Sequence, residues 1–187
     1  SIIDSCVFTY IRQRKMLGLG DAILTGEPLI GNEPFAVILA DDLCSTVGES
    51  VLSQMIEIYN KYQCSIIAIE EVPRDQVNKY GIISGELIDN SNDIYRVSNM
   101  VEKPDIVDAK SNLAIIGRYI LTPDIFEILR KIKPGNGNEI QITDALLDQA
   151  KKGNVIAYKF KGKRFDCGGI KGYLEAINYF AKLLGIK

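Results

Sequence analysis

The stretch Phe35-Ala36-Val37-Ile38-Leu39-Ala40-Asp41-Asp42 decides the fold, because an unbroken apolar run leads straight into two carboxylates. Such a run predicts a strand over 35–40 buried on both faces, the kind found in parallel sheets covered by helices. In open α/β sheets ligands bind beyond the carboxyl ends of the strands, and Asp41 and Asp42 stand at that end. Downstream, Val51, Leu52, Met55, Ile58, Tyr59 and Tyr62 recur at three- and four-residue spacing, which puts them on one face of a helix over 49–62. Ser65-Ile66-Ile67-Ala68-Ile69 is another short apolar run. Positions 35–69 therefore predict a strand-helix-strand unit of a parallel sheet.

The pattern continues in both directions. Cys6 to Tyr10 reads as an opening strand, and Gly18-Leu19-Gly20-Asp21-Ala22-Ile23 as a loop entering a short helix that Gly26 and Pro28 end. Runs over 82–88 and 94–101 flank the polar cluster Asp89-Asn90-Ser91-Asn92-Asp93 and predict a hairpin. Leu113 to Leu121 is a further strand, after which Thr122-Pro123 offers an N-cap and a first-turn proline for a helix over 124–132, stopped by Pro134-Gly135. Thr143 is positioned to cap a helix running to Lys151 and closed by Gly153, and 155–160 returns to strand. A last helix over 171–184 carries the stripe Leu174, Ile177, Ala181, Leu184, to be packed on the sheet or on a partner. The fold class is α/β, with a mixed, mostly parallel sheet flanked by helices.

With 187 residues and 47% apolar content the chain suits one well-buried domain over 1–187. A net charge of -2 with both signs interspersed argues against nucleic acid or anionic lipid as partner and points to a small molecule. Histidine is absent, which excludes the commonest general base, the Ser-His and Cys-His nucleophile pairs and every His-containing zinc site. Cys6, Cys44, Cys64 and Cys167 form no Cys-x-x-Cys pair and read as reduced thiols of a cytoplasmic protein. No apolar stretch approaches the roughly 18 residues of a membrane span. Ser1-Ile2-Ile3-Asp4 lacks the basic start and apolar core of a signal peptide. A start without methionine reads equally as a fragment or as a trimmed complete chain.

Three spots carry chemistry. Adjacent residues at a strand end point to opposite sides, so only one of Asp41 and Asp42 faces a crevice. One of them with Asp166, in Arg164-Phe165-Asp166-Cys167-Gly168-Gly169, supplies the small carboxylate set magnesium takes alongside phosphate oxygens and water. Spacing alone fits equally two solvated loop carboxylates at 41–42 and an N-cap aspartate at 166. Between them, Glu102-Lys103-Pro104 joins an acid and a base before a proline. The proline favours an extended backbone at Lys103, sending the two side chains to opposite faces. A surface ion pair is the commoner reading of such neighbours. Gly18 and Gly20 fall short of a dinucleotide fingerprint, because Ile23 stands where the third glycine belongs. A glycine-rich helix entry still lets a base or phosphate near the backbone, and the Gln13 amide has the donor and acceptor that a nucleobase edge needs, though a plain turn with a solvent-facing glutamine fits as well.

Taken in order, Ile11-Arg12-Gln13, Gly18-Leu19-Gly20-Asp21-Ala22, Val37-Ile38-Leu39-Ala40-Asp41-Asp42, Tyr80-Gly81-Ile82-Ile83, Val101-Glu102-Lys103-Pro104, Gly117-Arg118-Tyr119, Asn138-Glu139-Ile140-Gln141-Ile142-Thr143-Asp144 and Phe165-Asp166-Cys167-Gly168 resemble the bacterial UTP-glucose-1-phosphate uridylyltransferases. These are a branch of the sugar-nucleotide nucleotidyltransferases. The resemblance implies uridylyl transfer from UTP to glucose 1-phosphate, with Gln13 and Gly18 on the uracil and Asp41 and Asp166 holding Mg2+. It further implies Gly81, Glu102 and Gly117 around the glucose, with Lys103 as the catalytic cation on the sugar phosphate. A homo-oligomer is part of the same implication. The chain departs from the family pattern at Asp21 and Ala40, where histidine and proline are usual. It also lacks the family's glycine-rich phosphate loop: nothing upstream of Gln13 contains a glycine. The resemblance therefore implies a fragment without the first strand and phosphate loop, impaired in catalysis because its pyrophosphate grip is lost. The rivals are a thymidylyl- or adenylyltransferase, a non-catalytic nucleotide-sugar binder and a phosphoacceptor signalling domain. The last needs a third aspartate ending a later strand, where this chain has Glu70-Glu71.

Overall fold

In the computed structural model, which describes residues 3–88 and 90–186, a six-stranded sheet forms the centre. Its strands are β1 (Phe35–Ile38), β3 (Ser65–Glu71), β4 (Gly81–Leu87), β5 (Ile94–Glu102), β6 (Leu113–Leu121) and β7 (Val155–Lys159), in the order β1-β6-β3-β7-β5-β4. A separate two-stranded sheet pairs β2 (Asp42–Ser45) with β8 (Lys163–Asp166). The helices are α1 (Leu19–Thr25), α2 (Glu27–Ile30), α3 (Val51–Tyr62), α4 (Ile125–Leu129), α5 (Ile142–Lys151) and α6 (Ile170–Leu183).

Successive residues of β3 point to opposite faces, and both faces are covered. Ile67 and Ile69 pack with Phe126, Leu129 and Leu146 on the α4 and α5 side. Ile66 and Ala68 pack with Val51, Met55 and Ile58 of α3 on the other. The apolar stripe read from 49–62 thus faces the sheet, and Ser50 caps α3 by accepting the Ser53 N–H at 3.1 Å. Each fully buried aliphatic side chain contributes about 1.5–3 kcal/mol. One buried polar node crosses this core: Ser65 Oγ donates to Gln149 Oε1 at 2.8 Å, and Gln149 Nε2 donates to Thr122 Oγ1 at 3.0 Å.

The mixed sheet with flanking helices agrees with expectation, but its mostly parallel character does not. Among the described residues only β3 and β7 pair in parallel; the β1–β6, β3–β6, β4–β5, β4–β6 and β5–β7 pairings are antiparallel. The unit at 35–69 does bring β1 and β3 in the same direction, and β6 is inserted between them, running against both. A crossover fixes relative direction, not adjacency. β1 is consequently an edge strand, shorter than 35–40, with Phe35 and Val37 turned inward and Ala36 and Ile38 outward; Ile38 is 55% exposed. The doubly buried strand of the sequence reading is β3 instead.

Four further expectations change. Cys6 to Tyr10 forms no strand, and Val7 is 96% exposed, because β propensity becomes a strand only where a ladder partner exists. The helix after Pro123 is only Ile125–Leu129, with Asp124 at its cap, since the Thr122 hydroxyl is occupied by Ser65 and Gln149. α5 is entered through Gln141, and Thr143 lies in its first turn with its hydroxyl turned to Glu102. The α6 stripe is only partly used: Ala176 is buried and Phe165 packs on Tyr179 and Phe180, while Leu174, Ile177 and Leu184 remain exposed. The hairpin of β4 and β5 forms as read; Asp89 of its turn, like Ser1 and Ile2, lies outside the described residues.

Candidate active site

β1 ends in a turn at 39–42, where Leu39 N–H donates to Gly117 O at 2.9 Å and Asp42 N–H to Leu39 O at 3.3 Å. The chain then enters β2, whose register against β8 sets Asp42 opposite Asp166. Cys167 N–H donates to Asp41 O at 2.7 Å and clamps the two segments. The aspartates from the two distant motifs therefore meet. A Cβ built on Gly168 would lie 3.2 Å from Asp166 Oδ1 and 3.3 Å from Asp41 Oδ2. Two oxygens that close to one point lie well within 10 Å of each other, the separation beyond which one ion's short metal–oxygen bonds could not bridge them.

Both Asp41 and Asp42 line the cleft, against the expectation that only one faces it, because the chain turns between them; they differ in burial and partners instead. Asp41 is exposed at the cleft mouth, whereas Asp42 is only 4% exposed. Asp42 Oδ2 accepts the Gly117 N–H at 2.6 Å, and its Oδ1 accepts from Arg164 Nε at 2.5 Å. Arg164 also meets Glu70 at 2.7 Å and stacks over Tyr80, 5.1 Å from the ring centre. Burial opposes the guanidinium charge, but the hydrogen bonds and charges of Asp42, Tyr80 and Glu70 outweigh it and hold Arg164 protonated. Burial also pushes the Glu70 carboxyl up; Arg164 opposes this, and Asp42 and Asp166 add to it.

The cleft measures about 360 Å³, and Asp41, Gly81, Glu102, Lys103, Gly117 and Asp166 all line it. Also on the cleft, Glu102 at the end of β5 accepts from Thr143 Oγ1 at 3.1 Å and lies 3.9 Å from Lys103 Nζ. Burial raises the Glu102 pKa, Thr143 and Lys103 lower it, and Asp144 and Glu139 raise it. Gly81 is required by close approach: a Cβ there would sit 2.8 Å from Thr143 Cγ2 and 3.2 Å from Glu102 Oε2. At Gly117 a Cβ would sit 2.8 Å from Asp42 Oδ2 and 2.7 Å from Leu39 Cβ.

Lys103 departs from the extended backbone that Pro104 favours: its φ is +44°, in the left-handed region, and its N–H donates to Tyr80 O at 3.0 Å. That conformation is costly for a side chain with a Cβ and clusters at functional sites. It also keeps Lys103 on the cleft beside Glu102 rather than on the opposite face.

Gln13 and Gly18 are brought together, but neither lines this cleft; Leu19 does. The Gln13 amide nitrogen donates to Gly18 O at 3.2 Å and to Asp21 Oδ2 at 2.6 Å. A Cβ on Gly18 would lie 2.8 Å from Glu139 Cβ and 3.0 Å from Ile140 O, so this glycine, at φ +90°, serves packing against 139–140. Arg164, Tyr80 and Thr143 line the cleft without having been singled out as site residues. For Arg164 a signal existed: in a strand, residues 164 and 166 share a face.

Asp41 and Asp166 fit a divalent cation through oxygen chemistry and through the cradle that a Gly168 Cβ would fill. Among the described residues no group of three or more His, Cys, Asp or Glu converges on one point. A cation here therefore depends on ligand oxygens and water for its remaining contacts, the habit of magnesium.

Comparison with known proteins gives the family of this fold. The chain matches the nucleotidyl transferase family over residues 4–182. Over 179 residues it is 63% identical to the UTP--glucose-1-phosphate uridylyltransferase of Pseudomonas aeruginosa, covering 95% of this chain and 63% of that relative. A crystal structure of a UDP-glucose pyrophosphorylase complexed with UDP-glucose superposes with a TM-score of 0.93 at 63% identity, covering 97% of this chain and 68% of that one. UTP-bound UGPase from Acinetobacter baumannii superposes with a TM-score of 0.80 at 37% identity, over 91% of this chain and 59% of that one. The chain thus spans somewhat less than two thirds of the curated relative's length. Since the family's model matches nearly every residue, this chain belongs to the nucleotidyl transferase family.

Proposed function

We propose that this domain serves uridylyl transfer from UTP to glucose 1-phosphate, giving UDP-glucose and pyrophosphate. The observation that carries the reading is the convergence of Asp41, Asp166 and the neighbours Glu102 and Lys103, from three places in sequence, on one cleft. The sugar phosphate is its own nucleophile: its second pKa is about 6, so it is dianionic near neutral pH and no general base is needed, which suits a chain without histidine. Bringing two polyanions together is the main obstacle, and side chains contribute by placing charge and fixing in-line geometry. Lys103 holds the sugar phosphate, and Glu102 accepts hydrogen bonds from glucose hydroxyls between Gly81 and Gly117. Gln13 and Gly18 take the uracil. Asp41 and Asp166 hold the divalent cation, proposed to be Mg2+, which when bound supplies further neutralisation of phosphate charge. A single nucleotidyltransferase domain, a cytoplasmic location and a homo-oligomer complete the reading; the exposed Leu174 and Ile177 of α6 and Leu184 at its C-cap favour the oligomer.

The test is pyrophosphate release from UTP and glucose 1-phosphate, paired with calorimetry of UDP-glucose binding. Neither turnover nor binding would end the proposal. Placed in a chain that also carries the family's glycine-rich phosphate loop, Asp166→Asn and Lys103→Ala each lower turnover by a factor on the order of 100 or more while circular dichroism stays unchanged, the scale of removing one preorganised charged group.

A further inference from the structure

Arg164 is the most heavily engaged charged side chain of the cleft, and only 8% of that side chain is exposed. Its Nε faces Asp42, its Nη1 faces Glu70, and its Nη2 lies 3.5 Å from Asp166 Oδ2. The same Asp166 oxygen accepts from Tyr80 OH at 3.3 Å, and the Tyr80 ring lies under the guanidinium. The other oxygen, Asp166 Oδ1, accepts the Gly168 N–H at 3.2 Å and points into the space shared with Asp41 Oδ2.

We propose that Arg164, backed by Tyr80, is a positioning residue that sorts the carboxylates of this cleft, keeping Asp42, Glu70 and Asp166 Oδ2 on itself so that Asp166 Oδ1 and Asp41 are the pair presented to the cation. The inference rests on the cation-site reading above. Asp41, Asp42 and Asp166 line the cleft and Glu70, outside its lining, reaches the same guanidinium, and without a fixed cation among them their mutual repulsion would splay these carboxylates. A planar guanidinium meets three of them in set directions and still offers its face to a ring. An ammonium is a point charge on a flexible stem and cannot do both. Each Asp42 oxygen is engaged, Oδ1 by Arg164 and Oδ2 by the Gly117 N–H, which disfavours it against Asp41 as a ligand for the cation.

The experiment titrates Mn2+ alone into the full chain without nucleotide, following free Mn2+ by electron paramagnetic resonance, with circular dichroism confirming the fold of each variant. Arg164→Lys keeps the charge and loses the fork, and its Mn2+ dissociation constant rises by about tenfold, the usual effect of removing a residue that orients a metal ligand. Tyr80→Phe gives a smaller rise in the same direction. Asp41→Asn and Asp166→Asn abolish binding. If the aspartate variants lose Mn2+ while Arg164→Lys and Tyr80→Phe bind as tightly as the parent chain, or tighter, the positioning role is overturned and the cation site stands. Should all four variants bind like the parent, the cation site itself falls and the inference with it. Where Arg164→Lys does not fold, Tyr80→Phe decides alone, and an unchanged constant overturns the proposal.

Discussion

Gly172 has no reactive atom, yet it governs where a cleft carboxylate sits. A Cβ at this position of α6 would fall 1.9 Å from the Asp166 carbonyl oxygen and 2.7 Å from its carbon. Alanine is the better helix former by about 1 kcal/mol, but the clash is with backbone and forces β8 or α6 to move. Gly172→Ala is expected to destabilise by about 1–3 kcal/mol, the cost of overpacking, in urea denaturation. Glu102 yields a pH prediction. Burial leads its shift above the ordinary 4.5, so the folded chain keeps this proton to higher pH than the unfolded chain does. Its contribution to stability is then fully present below the ordinary glutamate value and is lost as pH rises through the raised one. Glu102→Gln removes that downward slope, which unfolding midpoints measured across acidic to neutral pH for both proteins will reveal. At this scale the residue types and their spacing were readable: Asp41, Lys103 and Asp166 stand on the cleft. The alternation rule that only one of Asp41 and Asp42 faces the cleft did not hold, since both line it. Which of them is engaged depends on Gly117 and Arg164, residues that no local pattern connects to position 42.

At the level of elements, α3 agrees with the sequence reading in type and in the face it buries, though it starts at Val51 rather than at 49. Its stripe faces the sheet, and Ser50 accepts from Ser53 N–H at its start. Ser50→Ala is expected to cost about 1 kcal/mol, measured by thermal unfolding. The caps read at Thr122 and Thr143 failed for a common reason: a threonine hydroxyl serves one partner set at a time. Ser65 and Gln149 claim Thr122, and Glu102 claims Thr143. A cap is a local inference, and a buried polar neighbour left unpaired costs about as much as or more than the cap contributes. The pair β2–β8 escaped the sequence reading because Asp42–Ser45 and Lys163–Asp166 are short and neither is an apolar run. This pair nonetheless joins the two aspartates.

Over the whole molecule, β6 separates β1 from β3, and the cleft opens where β1, β5 and β8 end beside the middle of β6. The exposed apolar side chains of α6 belong to this scale too. If they form the proposed contact between copies, sedimentation velocity will show a mass above one chain, and Leu174→Lys with Ile177→Lys will return it to the monomer. A monomer at every concentration would remove the oligomer from the proposal. By itself the sequence determined the alternation of helix and strand, the apolar faces, the absence of histidine chemistry and the residue types available for phosphate and cation, because these depend on composition and on periods of two and 3.6 residues. Only the tertiary structure decided which strand is buried on both faces, which aspartate stays free and which arginine holds the others. Strand adjacency and hydrogen-bond partners are settled by competition among residues far apart in the chain, and that competition leaves no periodic trace.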